Sequence, residues 1–298
     1  MREVTIFEGF KVSIYIPPHV KVIVEDLNGE VRHSQLLSEY LQKPSLQLQL
    51  ATYGHTLLDI LIEESYVSPD LVLRQVLTNN PHADATRLIG SIAESLVVKM
   101  CNEYPEINRI LGMHARFGTR LSKKLDEYVA VATGSMRTKQ NFFQYYNPSD
   151  TQRDIIWVDK NDTEDQLLCI KESSSASGKP AGLQVKASHD GINYVLPAVQ
   201  NYHYPILYFD LNDDWIYVRN AAMDRYPACI FIHPDEVFYQ IKHILKGYFA
   251  IIIAIIRGET SLQRVAEEAK YNGDSALTAG LDAAEPVLDS VIILPPHI

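Results

Sequence analysis

Three side chains in residues 153–188 have types and spacing that could do chemistry: Asp154, Gln184 and Lys186. Asp154 stands at the mouth of a short apolar run, Ile155-Ile156-Trp157-Val158, that reads as a strand. Gln184 and Lys186 alternate with Leu183, Val185 and Ala187 in a second strand-like run. Residues i and i+2 of a strand share a face, so the amide and the ammonium are expected to point the same way. A lysine placed beside a carboxylate on a sheet is costly unless it has a task. A carboxylate and an amide oxygen are hard ligands of the kind Mg²⁺ accepts, and Mg²⁺ keeps several waters of its own. An ammonium group beside them can orient a water and offset developing negative charge. Those are the parts needed for metal-assisted hydrolysis of a phosphodiester.

The elements that must position these groups can be read outward from them. Leu88, Ile89, Ile92, Leu96 and Val97 form the apolar stripe of a helix over residues 83–102, interrupted by Glu94 and ended by Pro105. Residues 107–140 form an amphipathic, basic segment with Arg109, Arg116, Arg120, Lys123, Lys124, Arg137 and Lys139 against Asp126 and Glu127. Residues 155–158 and 166–170 flank a polar turn at 159–165 and predict a hairpin. A Ser/Gly/Pro loop at 173–180 leads to the strand with Gln184 and Lys186. A short helix at 194–202, a strand at 205–211, a turn at 212–214 and a partner strand at 215–218 follow. The order is that of an α/β domain with a mixed sheet.

Residues 1–82 read as an accessory α+β unit. Its short strands lie at 10–16 and 20–25, with an Asn28-Gly29 hairpin turn. Helical spacing begins at Ser34, recurs at Leu57, Leu58, Leu61 and Ile62, and is expected again from Pro69 to Leu77. After Pro227 the pattern turns helical, so residues 226–298 read as a mainly helical C-terminal part. There residues 248–256, apolar all round, predict a buried helix. Residues 287–296 predict an edge strand.

A helix with Glu94, a strand with Asp154, a hairpin and then Gln184-x-Lys186 together resemble the PD-(D/E)xK, or restriction-endonuclease-like, nuclease superfamily. The likeness is to its Mrr-like branches, in which glutamine replaces the acid before the lysine, and it covers roughly residues 84–220. It implies a restriction-endonuclease-like core at residues 83–225, with a mixed central sheet flanked by helices. It also implies a metal-dependent DNA endonuclease of restriction, repair or defence type. Asp154, Glu94 and Gln184 would then hold Mg²⁺, or Mn²⁺ in its place, and Lys186 would act on the attacking water. The glutamine departs from the commonest pattern, so a nuclease-like fold without catalysis, serving as a DNA-binding or assembly subunit, is the alternative. Asp154 as a simple turn carboxylate and Lys186 as a solvated strand residue are the plainer readings.

Arg116, Arg120, Lys123, Lys124, Arg137 and Lys139 are the expected DNA contacts, since cationic side chains neutralise phosphates. Phe142, Phe143, Tyr145 and Tyr146 are aromatic candidates for stacking on bases. The whole chain of 298 residues carries a net charge of −10, so such a contact must be a local patch in a negative field. Cutting both strands would take two sites, which suggests a homodimer. Cys101, Cys169 and Cys229 show no CxxC spacing and read as free thiols. The first residues lack an apolar stretch of signal-peptide length and no run is long enough to span a bilayer, which predicts a cytoplasmic protein. Phosphate-loop, dinucleotide, HExxH and GxSxG motifs are absent from the sequence.

Overall fold

The computed structural model describes residues 2–7, 10–14, 19–25, 30–40, 42–75, 77–78, 80–161, 167–170, 178–238 and 240–270. In chain order the first elements are β1 (Arg2–Phe7), β2 (Phe10–Ile14), β3 (Lys21–Glu25), β4 (Val31–Leu36), α1 (Leu37–Tyr40) and α2 (Leu46–Glu63). Next come α3 (Pro81–Glu103), α4 (Pro105–Ala115), β5 (Tyr128–Ala132), α5 (Met136–Asn141), β6 (Ile155–Asp159) and β7 (Gln184–Ser188). The last are α6 (Gly191–Tyr194), β8 (Ile206–Asp210), α7 (Trp215–Arg225), β9 (Phe231–Ile232), α8 (Ile241–Ile256) and α9 (Leu262–Glu268). The fold is mixed α/β with small sheets. Among the described residues no helix is long and apolar enough to cross a membrane.

The chain forms two compact units, Met1–Asp59 with Gly258–Ile298, and Ile60–Arg257. These do not divide at 82/83 and 225/226, where composition suggested. In particular, α8 packs against α3 and so belongs with the sheet that carries Asp154.

In the first unit β1 pairs antiparallel with β2, and β3 with β4. Strand pairing continues through Leu36, past Ser34 where helical spacing was expected to begin. Val22, Val24 and Leu48 form a small core, with Leu37, Tyr40 and Ala51 packed on it. Gly54 lets α2 pack closely here, since a Cβ would meet the side chains of Val265 and Ala269 on and beside α9 at 3.0 Å, and they would have to give by a few tenths of an ångström. The Asn28-Gly29 turn and the 287–296 strand lie outside the described residues, as do most of the 159–165 turn and the 173–180 loop.

The second unit is built on α3. Asn80 caps it by accepting from the Ala83 amide at 3.2 Å, and Pro81 occupies the first turn, where its missing N–H costs nothing. Leu88, Ile89, Ile92, Leu96, Val97 and Met100 are buried, and the helix packs on β5, β7, α4 and α8. Beside it β5 and β6 pair antiparallel, Ala132 opposite Ile155 and Tyr128 opposite Asp159. A single antiparallel bridge, Ile155 to Leu183, joins β6 to the start of β7. From there β7 runs parallel to β8, and β8 to the two-residue β9. The second arm of the expected hairpin is reduced to bridges, Val158 to Leu167 and Cys169 to Pro180. The crossover from β7 to β8 passes through α6 and a 3₁₀ segment at Leu196–Asn201, split by Pro197. Gly191 starts it where a Cβ would come within 2.3 Å of the Tyr208 hydroxyl, so no other residue fits.

Three sequence expectations are corrected here. Residues 215–218 are the first turn of α7 and not a strand. Asp210 accepts from the Trp215 amide at 3.1 Å, and Val218 and Ala222, four apart, bury in one cluster with Tyr208. Tertiary packing overrides the β-propensity of Trp-Ile-Tyr-Val. Residues 69–75 are not helical; Val67 and Leu73 bridge around a tight turn, with Leu71 at φ 58°. The amphipathic, basic segment 107–140 is not one element but α4, a 3₁₀ turn at Lys123–Glu127, β5 and α5.

Beyond β7, the His189 ring lies 4.9 Å from that of His82 and 4.3 Å from Phe249. Burial, with the cationic tendencies of His82 and Lys246 added, pushes the His189 imidazole down to about 4 against the opposing pull of Asp214. The unfolded chain therefore takes up this proton near pH 6.5, and the folded chain only near 4. This contribution to stability is intact above 6.5 and is lost as pH falls toward 4. With partial solvent exposure discounted, the loss is about 1–2 kcal/mol. Urea midpoints at pH 7 and pH 5 should fall less for His189→Phe than for wild type; equal falls would contradict the assignment.

Candidate active site

Asp154 sits where β6 begins, and its backbone is fixed on both sides. Its carbonyl accepts from the Thr133 amide at 2.9 Å, and its own amide donates to the Leu183 carbonyl at 2.9 Å. The preceding Arg153 folds back to Asp150, with 2.9 Å between Nη2 and Oδ2. Gly182 makes room for that arginine, since a Cβ there would strike its side chain at 2.5 Å. The result is a carboxylate aimed across the junction between β6 and β7.

On β7, Gln184 and Lys186 do share a face, and that face meets Asp154. Asp154 Oδ2 accepts from Gln184 Nε2 at 2.5 Å and from the Val185 amide at 2.8 Å, and Lys186 Nζ lies 3.5 Å away. Gln184 is 2% exposed, and its Oε1 is buried without a hydrogen-bond partner. A buried acceptor left empty is costly, and a cation is one thing that satisfies it.

Glu94 lies on α3, which packs on β7, within electrostatic reach of Asp154 and Lys186. Burial, then the nearby Asp154 carboxylate, and to a smaller degree Glu64, raise its carboxyl well above the ordinary range, with Lys186 opposing. Burial also raises Asp154, although Lys186 and the Val185 amide favour its charged form. Two carboxylates this close do not both ionise readily without a positive charge between or beside them. Lys186 is the protein's own positive charge there. Burial disfavours it, but Asp154, Tyr202, Glu94 and Tyr194 more than compensate, and its ammonium is held above its usual range. The Tyr202 ring lies 5.2 Å from Nζ.

The donor set fits a hard divalent cation: two carboxylates and an unsatisfied amide oxygen, with waters or substrate oxygens completing the shell. Among the described residues no group of three or more His, Cys, Asp or Glu side chains is placed to hold a metal, so any ion here would rely on Gln184 and on non-protein oxygens.

Glu64, which no sequence spacing singled out, organises the surroundings. Its Oε1 accepts from Ser95 Oγ and Ser135 Oγ, each at 2.8 Å, and its Oε2 accepts from the Met136 amide at 2.8 Å. One carboxylate therefore ties α3 beside Glu94 to the turn that follows β5. Glu64→Ala leaves three donors without their acceptor and is expected to cost about 1–3 kcal/mol in a urea titration. A loss below about 0.5 kcal/mol would show that the clamp does not matter.

The structure does not gather the expected DNA contacts into one row. Exposed Arg137 and Lys139 lie on α5, just past the Ala132 end of β5 and therefore near Asp154. Exposed Lys123 and Lys124 lie before Tyr128, at the other end of the β5–β6 pair. Five strand residues separate the two ends, about 17 Å. Arg120 is exposed in the loop between, and Arg116 is half-buried at the end of α4. Arg109 is engaged in two hydrogen bonds with Asp126. Of the aromatic candidates, Phe142 and Tyr145 pack on the core formed by Val131, Ile156 and Val158, whereas Phe143 is exposed. Among the three cysteines, all free, Cys101 is buried.

Comparison with protein-family models, with curated proteins and with solved structures returned no match.

Proposed function

We propose that the Ile60–Arg257 unit is a restriction-endonuclease-like nuclease core and that the protein hydrolyses phosphodiester bonds of DNA with Mg²⁺ or Mn²⁺. The observation that carries this reading is the meeting of Asp154, Gln184 and Lys186 at one carboxylate oxygen, with Glu94 brought alongside by α3. The order of elements supports it as well: a long helix, two antiparallel strands, a bridged third strand, a helical crossover and a parallel strand.

In this reading Asp154, Glu94 and Gln184 Oε1 hold the metal, which when bound polarises the phosphoryl oxygen and makes its water acidic. The chain supplies the rest. The Val185 amide fixes the Asp154 carboxylate. Lys186 stays charged, and from 3.5 Å beside Asp154 it positions the attacking water and offsets charge developing on phosphate. Arg137 and Lys139, exposed on α5 past the Ala132 end of β5, would offer cations to the substrate backbone. Double-strand cutting would pair two copies, and a cytoplasmic location accords with a DNA substrate.

One observation favours the second reading, a nuclease-like fold without catalysis: the Gln184 amide donates to the oxygen that a metal would want. Incubation with labelled DNA and Mg²⁺ or Mn²⁺ separates the two. Cleavage that EDTA and Asp154→Asn each abolish is the expected result. Absence of cleavage on every DNA form, with both metals, would leave only the inactive reading.

A further inference from the structure

Aromatic rings recur around these carboxylates. Tyr202 lies against Lys186, and Tyr194, 61% exposed, is close enough to favour that lysine's charge. Tyr194 ends α6, and Tyr202 comes just after the 3₁₀ segment, where its partly buried ring also packs on the core cluster of Val195, Leu196 and Val199. Tyr66 is close to Glu94, Glu64 and Tyr146, and the Tyr146 ring carries Lys139 Nζ 5.5 Å from its centre. Tyr194 and Tyr202 therefore border Lys186, Tyr66 borders Glu94, and Tyr146 with Lys139 on its ring lies beside Tyr66.

An intact duplex offers such a border little. Its bases are stacked inside, and its outside presents phosphates and groove edges. Rings gain stacking energy only from bases that have left the stack, and that gain tolerates any sequence because every base has a π-face. Lysines resting on rings add cation–π contact and meet the backbone phosphates. This pairing of ring faces with cations also supplies a local attraction within a chain of net charge −10.

We infer that the site takes single-stranded nucleic acid, or unpaired segments and ends, with bases stacked on Tyr194 and Tyr202 and the backbone held by Lys139 and Lys186. This rests on the nuclease reading and specifies its substrate. The test is fluorescence anisotropy of the full chain with labelled single-stranded DNA, single-stranded RNA and matched duplex. EDTA is present, so that neither cleavage nor metal binding enters. Single strands are expected to bind at least about tenfold more tightly than duplex, and Tyr194→Ala to weaken single-strand binding by about 5–100-fold. The DNA and RNA arms report which backbone is preferred. Tyr194 is exposed, so its loss does not threaten folding; Tyr202→Leu is the second variant.

Duplex bound as tightly as single strands would overturn the inference. So would both variants lying within about twofold of wild type on single strands. If duplex is also cleaved with Mg²⁺ in those cases, the nuclease reading survives and only its substrate is wrong. If no nucleic acid binds in any form and none is cleaved, both fall together.

Discussion

Lys186→Ala is expected to slow phosphodiester cleavage by about 10²–10³-fold, the range found when one preorganised charge is removed from a reacting centre. Its ammonium lies 3.5 Å from Asp154 Oδ2, and no other cation touches that carboxylate among the described contacts. The loss should appear in kcat at saturating metal, because lysine is not a ligand. Lys186→Arg keeps the charge but replaces a compact ammonium by a planar fork in a half-buried slot beside Tyr202, and only partial rescue is expected. The fold should survive either change. Asp154 would still accept from Gln184 and Val185, so the variant strands no unbonded carboxylate, and the loss of this mostly buried pair is expected to cost about 1–3 kcal/mol. A Lys186→Ala protein that cleaves within about threefold of wild type would remove lysine from the chemistry.

The second large effect concerns stability and lies at the other end of β7 and β8. Lys242 Nζ, on α8, bridges Asp210 Oδ1 and Asp213 Oδ1, each at 2.8 Å. Asp210 is 2% exposed. Burial alone would depress the lysine, but its hydrogen bonds to Asp210 and Asp213 raise it instead, so its ammonium stays charged in the folded chain. Removing one partner of a buried pair strands the other, a loss of about 3–5 kcal/mol. Lys242→Ala is expected to lower the unfolding free energy by that amount in a denaturant titration. Lys246→Ala, which breaks an ion pair to the exposed side of Asp213, should cost about 1 kcal/mol or less. Equal small losses for both would contradict a stabilising buried Lys242–Asp210 pair.

The parts of the site that were readable in the sequence are those where local pattern and tertiary demand agree. The stripe from Leu88 to Val97 can only be a helix side, and Glu94 follows from it. The alternation around Val185 puts Gln184 and Lys186 together because the pleat has a period of two. Where the two demands compete, local reading fails. Tyr128–Ala132 forms β5 inside what read as one amphipathic, basic segment, because its partner β6 lies more than twenty residues away. Trp215 to Val218 looks like a strand, yet Asp210 holds the Trp215 amide and starts a helix. Glu64 was invisible for another reason: its donors, Ser95, Ser135 and Met136, come from two distant segments with no shared spacing. The division of the lysines and arginines between the two ends of β5 and β6 is likewise a matter of register rather than composition.

Metal-assisted cleavage requires Asp154, Glu94 and Gln184 Oε1 to form a cation site, and thermal unfolding against Mg²⁺ or Mn²⁺ concentration tests that directly. A cation bound only by the folded chain adds about 2.7 kcal/mol at one hundred times its dissociation constant. The melting temperature of wild type should therefore rise steadily with metal. Asp154→Asn, which retains an oxygen able to accept from the Val185 amide, should fold but show no rise. A metal-dependent shift of the same size in both proteins, or none in wild type, would contradict the site.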